Sequence, residues 1–377
     1  MTYGAYPARR AVAERVRECF ARHLELATAG SADAAPLPDI DAIEALIDTG
    51  FWTSLRREEG YVPIISLALL PPEAVPTALL FEQPLRFAPA VLAKVAPAVE
   101  RPGIHLGVSV RDGALSVWGA TRHLPSYCLV LEVAGPGLLV VKQYRGGEHT
   151  KFANIAVLEG DQVKIVDEQA SSLPDCPPLL SSLLGFDTPA TWSDSVNVLV
   201  QLSVSMRAHK RGGLLLVVPS DSESWRDSIV HPIAYALNPP FSVLANLMTQ
   251  DADGRDRGWQ DALGRAIEGI AGLTAVDGAT IVTDRHELLA FGAKITRRRG
   301  SAPVEQATVT EPIEGFVPST VHPSSLGGTR HLSAAQFVHD QRDAVALVAS
   351  QDGRFTVFAW STCEEMVFAH RVEALLL

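Results

Sequence analysis

The sequence predicts an α/β C-terminal domain, a mixed sheet flanked by helices, joined to a mainly β N-terminal domain with leading helices. Three observations predict it. At 377 residues the chain exceeds the usual single-domain size, so two domains are expected. Short strand-like runs separated by turn signals crowd the stretch from Tyr61 to Asp167. From Trp192 onward, helical and strand periodicities alternate. The implied boundaries are a helical segment over 1–50, a mainly β domain over 51–180 and an α/β domain over 190–377.

In chain order, Val12, Val16, Phe20 and Leu24 recur at four-residue spacing, which predicts an amphipathic helix over 8–27. The Ala, Gly, Ser and Pro of 28–38 read as a linker. Ile40, Ile43, Leu46 and Ile47 predict a second helix from Asp39 to Thr49. Strands are expected at 62–70, 104–110, 114–118, 128–133, 137–143 and 162–166. Their turns include Arg111-Asp112-Gly113, Gly135-Pro136-Gly137 and Glu159-Gly160-Asp161. Pro174, Pro177 and Pro178 mark a boundary region that extends to Thr191.

The last part begins with a helix over 192–210, with Ser193 or Asp194 as its cap, stopped by Arg211-Gly212-Gly213. Leu214 to Val218 is an uninterrupted apolar run suited to a central strand buried on both faces. Trp259, Leu263, Ala266, Ile267 and Ile270 give another helix, which leads into a strand over 279–282. A helix over 333–339 and two strands, 344–349 and 354–360, joined by Gln351-Asp352-Gly353, complete the unit.

Composition narrows the function. A net charge of -11, from 32 Lys plus Arg against 43 Asp plus Glu, argues against a nucleic-acid coating protein and points to a small anionic ligand held in a local basic pocket. No apolar run reaches bilayer length, so no membrane partner is expected. Cys19, Cys128, Cys176 and Cys363 stand singly, without zinc or disulfide spacing, and a reducing cytoplasm is the expected setting. His209, His231, His322 and His339 lack metal-ligand spacing, and Ser350 lacks the glycine context of a serine nucleophile.

Two short motifs carry the chemistry. Asp277-Gly278-Ala279 sets a carboxylate beside two residues too small to block a ligand. Gly327-Gly328-Thr329-Arg330-His331 sets glycine backbone, a hydroxyl, a guanidinium and an imidazole ahead of a helix, where N–H groups and the dipole favour phosphate. An earlier imitation, Asp112-Gly113-Ala114 followed by Ala120-Thr121-Arg122-His123, falls within one expected β-hairpin and is read as accidental. Arg297, Arg298 and Arg299, with Lys294, read as a solvated cationic loop.

The order Arg211 to Val218, Asp277 to Val282, Gly328 to His331 and Ala344 to Ser350 resembles the diadenylate cyclase domain of DNA-integrity scanning proteins, over about 190–362. The N-terminal half resembles the variable sensor modules attached to such domains. The resemblance implies that two ATP molecules, one on each of two facing domains of a homo-oligomer, are joined into cyclic di-AMP with release of pyrophosphate. It implies Asp277 as catalytic residue and as ligand of Mg²⁺ or Mn²⁺. Gly278, Ala279, Gly328, Thr329, Arg330, His331 and Ser350 become the nucleotide-binding residues. Two positions depart from the family pattern. Leu332 stands where Arg-His-Arg would end, and Gln351 stands where Ser-Glu would end.

Overall fold

The computed structural model describes residues 4–26, 34–146, 152–168, 194–250 and 257–377. The chain divides into two compact units, Met1–Val166 with Leu377, and Asp167–Leu376. The boundary expected over 174–191, with Cys176, lies outside the described residues, as do Ser193 and part of the linker expected over 28–38.

In the first unit, α1 (Arg9–Leu26) and α2 (Ile40–Ser54) form where the apolar spacing puts them. Helix α2 continues past Thr49 through Gly50, where a side chain would stand 2.6 Å from Leu131 Cδ2. The glycine lets the helix lie close to the sheet. That sheet comprises β1 (Ile65–Leu69), β2 (Ala78–Arg86), β3 (His105–Arg111), β4 (Ala114–Thr121), β5 (Leu129–Gly135), β6 (Leu138–Tyr144), β7 (Phe152–Glu159) and β8 (Gln162–Ile165). Their spatial order is β2-β4-β3-β1-β5-β6-β7-β8, with β1 and β3 parallel and the other neighbours antiparallel.

Val16, Phe20, Ile43 and Leu46 from the helices meet Leu67, Leu106, Leu131 and Leu139 from the sheet in one buried core. A third helix, α3 (Pro89–Val99), also contributes Leu92, Ala96 and Val99 to it, so this unit is a mixed sheet with helices. The accidental motif copy does sit on a hairpin, with Asp112 and Gly113 at positive φ between β3 and β4.

The second unit holds a nine-stranded mixed sheet. Its strands are β9 (Gly213–Val218), β10 (Tyr235–Phe241), β11 (Ala279–Thr283), β12 (Leu288–Ala293), β13 (Ala307–Thr310), β14 (Ser319–Val321), β15 (Val345–Ala349), β16 (Phe355–Ser361) and β17 (Met366–Arg371). They lie in the order β10-β12-β11-β9-β15-β16-β17-β13-β14. The helices are α4 (Asp194–Ala208), α5 (Val243–Met248), α6 (Arg257–Leu273) and α7 (Thr329–Asp340).

Every residue of β9 is buried, as the unbroken apolar run predicts. Period-2 alternation divides it between two cores. Leu214, Leu216 and Val218 share one with Ala334, Ala335, Phe337 and Val338 of α7. Leu215 and Val217 share the other with Leu202 and Met206 of α4 and with Leu263 and Ile267 of α6. Helices on both faces of a mixed sheet make this unit α/β. Among the described residues, no helix is long and apolar enough to cross a membrane.

His370 in β17 is 2% exposed and its Nδ1 lies 2.7 Å from the Thr310 hydroxyl. Burial lowers its pKa to about 4. The unfolded chain takes up this proton near pH 6.5 and the folded chain only near pH 4. This group's contribution is therefore intact above pH 6.5 and is lost as pH falls between those values. Urea unfolding at pH 7 and pH 5 is expected to show a smaller acid loss for His370→Gln than for the native chain, by up to about 1.4 kcal/mol per pH unit. Equal losses would contradict this.

Candidate functional site

Strand pairing brings the two motifs to one end of the second sheet. Strands β9 and β11 are adjacent and parallel, with Leu215 opposite Thr280, so the residues preceding each emerge together. Strand β15 runs antiparallel on the other side of β9, with Ala349 opposite Gly213, so Ser350 emerges at the same end. Here a cavity of about 380 Å³ is lined by Gly328, Thr329, Arg330, His331, Ser350 and Gln351, among others.

The helical reading placed the start of α7 near Ser333. The helix begins at Thr329, so Thr329, Arg330 and His331 form its first turn. Gly328 is the N-cap, with no side-chain cap and no acidic residue in the first turn. The His331 N–H donates to the Gly328 carbonyl at 3.0 Å, whereas the N–H groups of Thr329 and Arg330 have no capping side chain, and the dipole leaves partial positive charge there. A side chain on Gly328 would meet nothing within 4 Å, so the cap faces open space.

Arg330 lies against the turn before β9: a Cβ on Gly212, whose φ is +70°, would stand 2.8 Å from Arg330 Nη1. Gly212 thus gives the guanidinium room. The Gln351 side chain donates to the Arg211 carbonyl at 3.5 Å and joins the two turns. His331 is 3% exposed, its ring packed against Gly327 and 6.1 Å edge-on from Phe358. Burial lowers its pKa, so the ring is neutral at pH 7, and its Nδ1 has no hydrogen-bond partner among the described residues.

Asp277 sits between α6 and β11 with its side chain 90% exposed. Lys294 Nζ lies 2.5 Å from its Oδ2, and that hydrogen bond and charge, helped by the charge of Arg330, lower its pKa. Asp277 is anionic at pH 7. Gly278 has φ +121°, and any Cβ there would come within 2.5 Å of the Gly292 backbone. Ala279 is fully buried and pairs with Ala293. The lining of the cavity thus includes Gly328 to His331 and Ser350, while Asp277, Gly278 and Ala279 lie two strand positions away along the same sheet end.

Sequence reasoning missed two partners. Lys294 reads with the cationic loop, yet it pairs with Asp277; Gly212 reads as a helix stop and as part of the resemblance, with no partner named, yet it seats Arg330. Neither contact has a local signal, because each joins segments distant in sequence. Tyr235, half exposed and stacked on Phe291 at 4.7 Å, packs beside Gly292.

Mg²⁺ and Mn²⁺ require hard oxygen donors. Among the described residues no cluster of three His, Cys, Asp or Glu forms around Asp277. The exposed, anionic carboxylate of Asp277 fits as a single protein ligand for such an ion, the remaining positions falling to phosphate oxygens and water.

Residues 32–122 match the family model described as "Probable sensor domain DACNV". The match lies in the first unit and contains α2, β1, β2, α3, β3 and β4. No curated protein matches the chain. Among solved structures, one described as the hypothetical membrane spanning protein from Bacillus cereus aligns at 17% identity. That alignment covers 51% of this chain and 69% of that one at a TM-score of 0.28, too loose to establish a shared fold.

Two glycine substitutions separate architecture from ligand space. Gly278→Ala forces a Cβ onto the Gly292 backbone at a positive φ and is expected to cost about 2 kcal/mol or more in urea unfolding. Gly328→Ala meets open space and is expected to cost less than about 1 kcal/mol, the cap preference alone. Equal costs would contradict the geometry.

Proposed function

We propose that the second unit is a diadenylate cyclase-like nucleotidyltransferase, which condenses two ATP into cyclic di-AMP and pyrophosphate under control of an N-terminal sensor. The observation that carries this reading is Arg330 held on the Gly212 turn at an uncapped helix N-terminus, with the anionic Asp277 at the same sheet end. The sensor-domain match in the first unit supports the regulatory half.

In each half-reaction a ribose 3′-oxygen bonds to the α-phosphorus of the other ATP. The bond from that phosphorus to the β-phosphate bridging oxygen breaks, pyrophosphate leaves, and the hydroxyl proton is released. The first N–H groups of α7, the Thr329 hydroxyl and the Arg330 fork bind the phosphate oxygens and offset the charge gathering on the leaving group. Ser350 offers a further hydroxyl. Gly328 admits the phosphates close to the backbone, and Gly278 lets the chain beside Asp277 lie against the Gly292 backbone. Asp277 would hold Mg²⁺ or Mn²⁺, which when bound neutralises phosphate charge and eases deprotonation of the 3′-hydroxyl. Lys294 holds Oδ2 and leaves Oδ1 open for this. The neutral His331 can donate a hydrogen bond without adding charge.

One domain supplies half of the chemistry, so activity requires two facing copies, and the sensor unit can act by controlling their pairing. ATP as substrate implies a cytoplasmic setting.

A second reading rests on two residues. Leu332 is 37% exposed where the family pattern has a cation, and Gln351 makes a neutral contact where the pattern has a carboxylate. These fit a nucleotide-binding sensor that has lost turnover.

The test is incubation of the purified chain with ATP and Mn²⁺ or Mg²⁺, with dinucleotides followed by mass spectrometry. Cyclic di-AMP is expected, reduced on the order of 100-fold by Asp277→Asn. Arg330→Ala is expected to weaken ATP binding about tenfold or more. Absence of product with Arg330-dependent ATP binding would select the sensor. ATP binding indifferent to Arg330→Ala would overturn both readings.

A further inference from the structure

At the opposite end of the same sheet, where β9 ends, lies a larger cavity of about 620 Å³. Pro219, Trp225, the loop from Arg298 to Ser301 and the residues at the end of α7 line it. Helix α7 runs from one cavity to the other, and its 12 residues span about 18 Å.

The walls are fixed. The Asp340 side chain is fully buried. It accepts the Arg298 backbone N–H at 2.8 Å, Gln336 Nε2 at 3.0 Å, a contact from His339 Nδ1 at 3.2 Å and the Ser301 hydroxyl. These bonds tie the loop after β12 to the end of α7. Gln341 donates to the Ser224 carbonyl at 3.0 Å and to the Ser228 hydroxyl at 2.9 Å, which ties the opposite wall to the same helix end. Trp225, 3% exposed, packs into the core at the cavity's lining.

Three guanidinium groups stand on these walls beside two carboxylates. Arg298, Arg299 and Arg342 all line the cavity. Arg298 reaches Asp227 at 3.5 Å with both side chains about half exposed, which screens the pair. Arg299 has no ion-pair partner among the described residues. Arg342 lies over the Trp360 ring at 4.0 Å, a stacking that leaves the edge of its fork open to an acceptor. Of the acids lining the cavity, Asp340 is committed to the loop, and with Arg298 turned toward Asp227, Asp343 faces the open guanidinium groups of Arg299 and Arg342. In a chain of net charge -11, arginines gathered on one concave surface favour a small multivalent anion.

We propose that this cavity is a second anion site, which takes a small phosphorylated molecule through the forks of Arg298, Arg299 and Arg342. Guanidinium forks match phosphate oxygens in bidentate fashion, and three of them suit a dianion or higher charge. The volume lies within the usual range for small-molecule sites. Because the two cavities share α7 but no lining residue, binding here does not depend on the nucleotidyltransferase reading.

The test is isothermal titration of the full chain carrying Arg330→Ala, which weakens the first pocket, with inorganic pyrophosphate as the probe. A saturable site that depends on Arg299 and Arg342 is expected. Adding Arg299→Ala or Arg342→Ala should weaken it about tenfold or more, and Arg299→Glu should abolish it. Both arginines are exposed and hold no backbone group, so the variants keep the fold. Citrate at matched ionic strength should bind more weakly. No saturable binding to the Arg330→Ala chain, or binding indifferent to Arg299 and Arg342, would overturn the site. Equal binding of citrate would overturn its assignment to phosphate.

Discussion

The seating of α7 on the sheet is the contact on which the rest of the second unit depends. Ala334 and Ala335 let the helix come close, and Phe337 and Val338 fill the space against Leu216, Val218, Ala346 and Val348. Truncating one buried Phe costs roughly 3 kcal/mol or more, against about 1 kcal/mol for a typical single hydrogen bond. Packing, not the polar contacts at its ends, therefore fixes the helix. Once it is fixed, its first turn must face the Gly212 turn, and its last turn must anchor the loop bearing Arg298 and Arg299.

How much of this was legible in the sequence depends on burial. Strand β9 could be read because an unbroken apolar run has few other uses, and α1 and α2 because their stripes face one core. The edge strand β2 is mostly exposed, contains Pro84 and carries a register shift between Leu80 and Leu85, so it has no alternation to read. Helix α3 begins with Pro89 and contains Pro97, two residues that signal interruption. The same holds for β10, where Pro239 and Pro240 sit in an edge strand. The start of α7 was placed late because Gly328-Thr329 reads as loop until the open space before it is known. At the site, the residue types were legible and their partners were not. Asp277 and Arg330 carried motifs, whereas Lys294 and Gly212 take their meaning only from the sheet order.

Charge is distributed with a purpose that the total conceals. The chain is acidic overall, yet both ends of α7 meet cations: Arg330 with the free N–H groups at one end, Arg298, Arg299 and Arg342 at the other. Asp277 and Asp340 differ in the use of the same carboxylate. The first is exposed, held ionised by Lys294, and free to take a ligand on its other oxygen. The second is buried and spends its acceptor capacity on the loop. Exposure, not residue type, separates the aspartate proposed for chemistry from the structural one.

The most direct test of the account is a crystal structure of the chain with a non-hydrolysable ATP analogue and Mg²⁺. The expected result is the triphosphate on the first turn of α7, bonded by Arg330 and the Thr329 N–H, with the metal between phosphate oxygens and Asp277. A nucleotide bound only elsewhere, with the Gly328 to His331 turn empty, would contradict it.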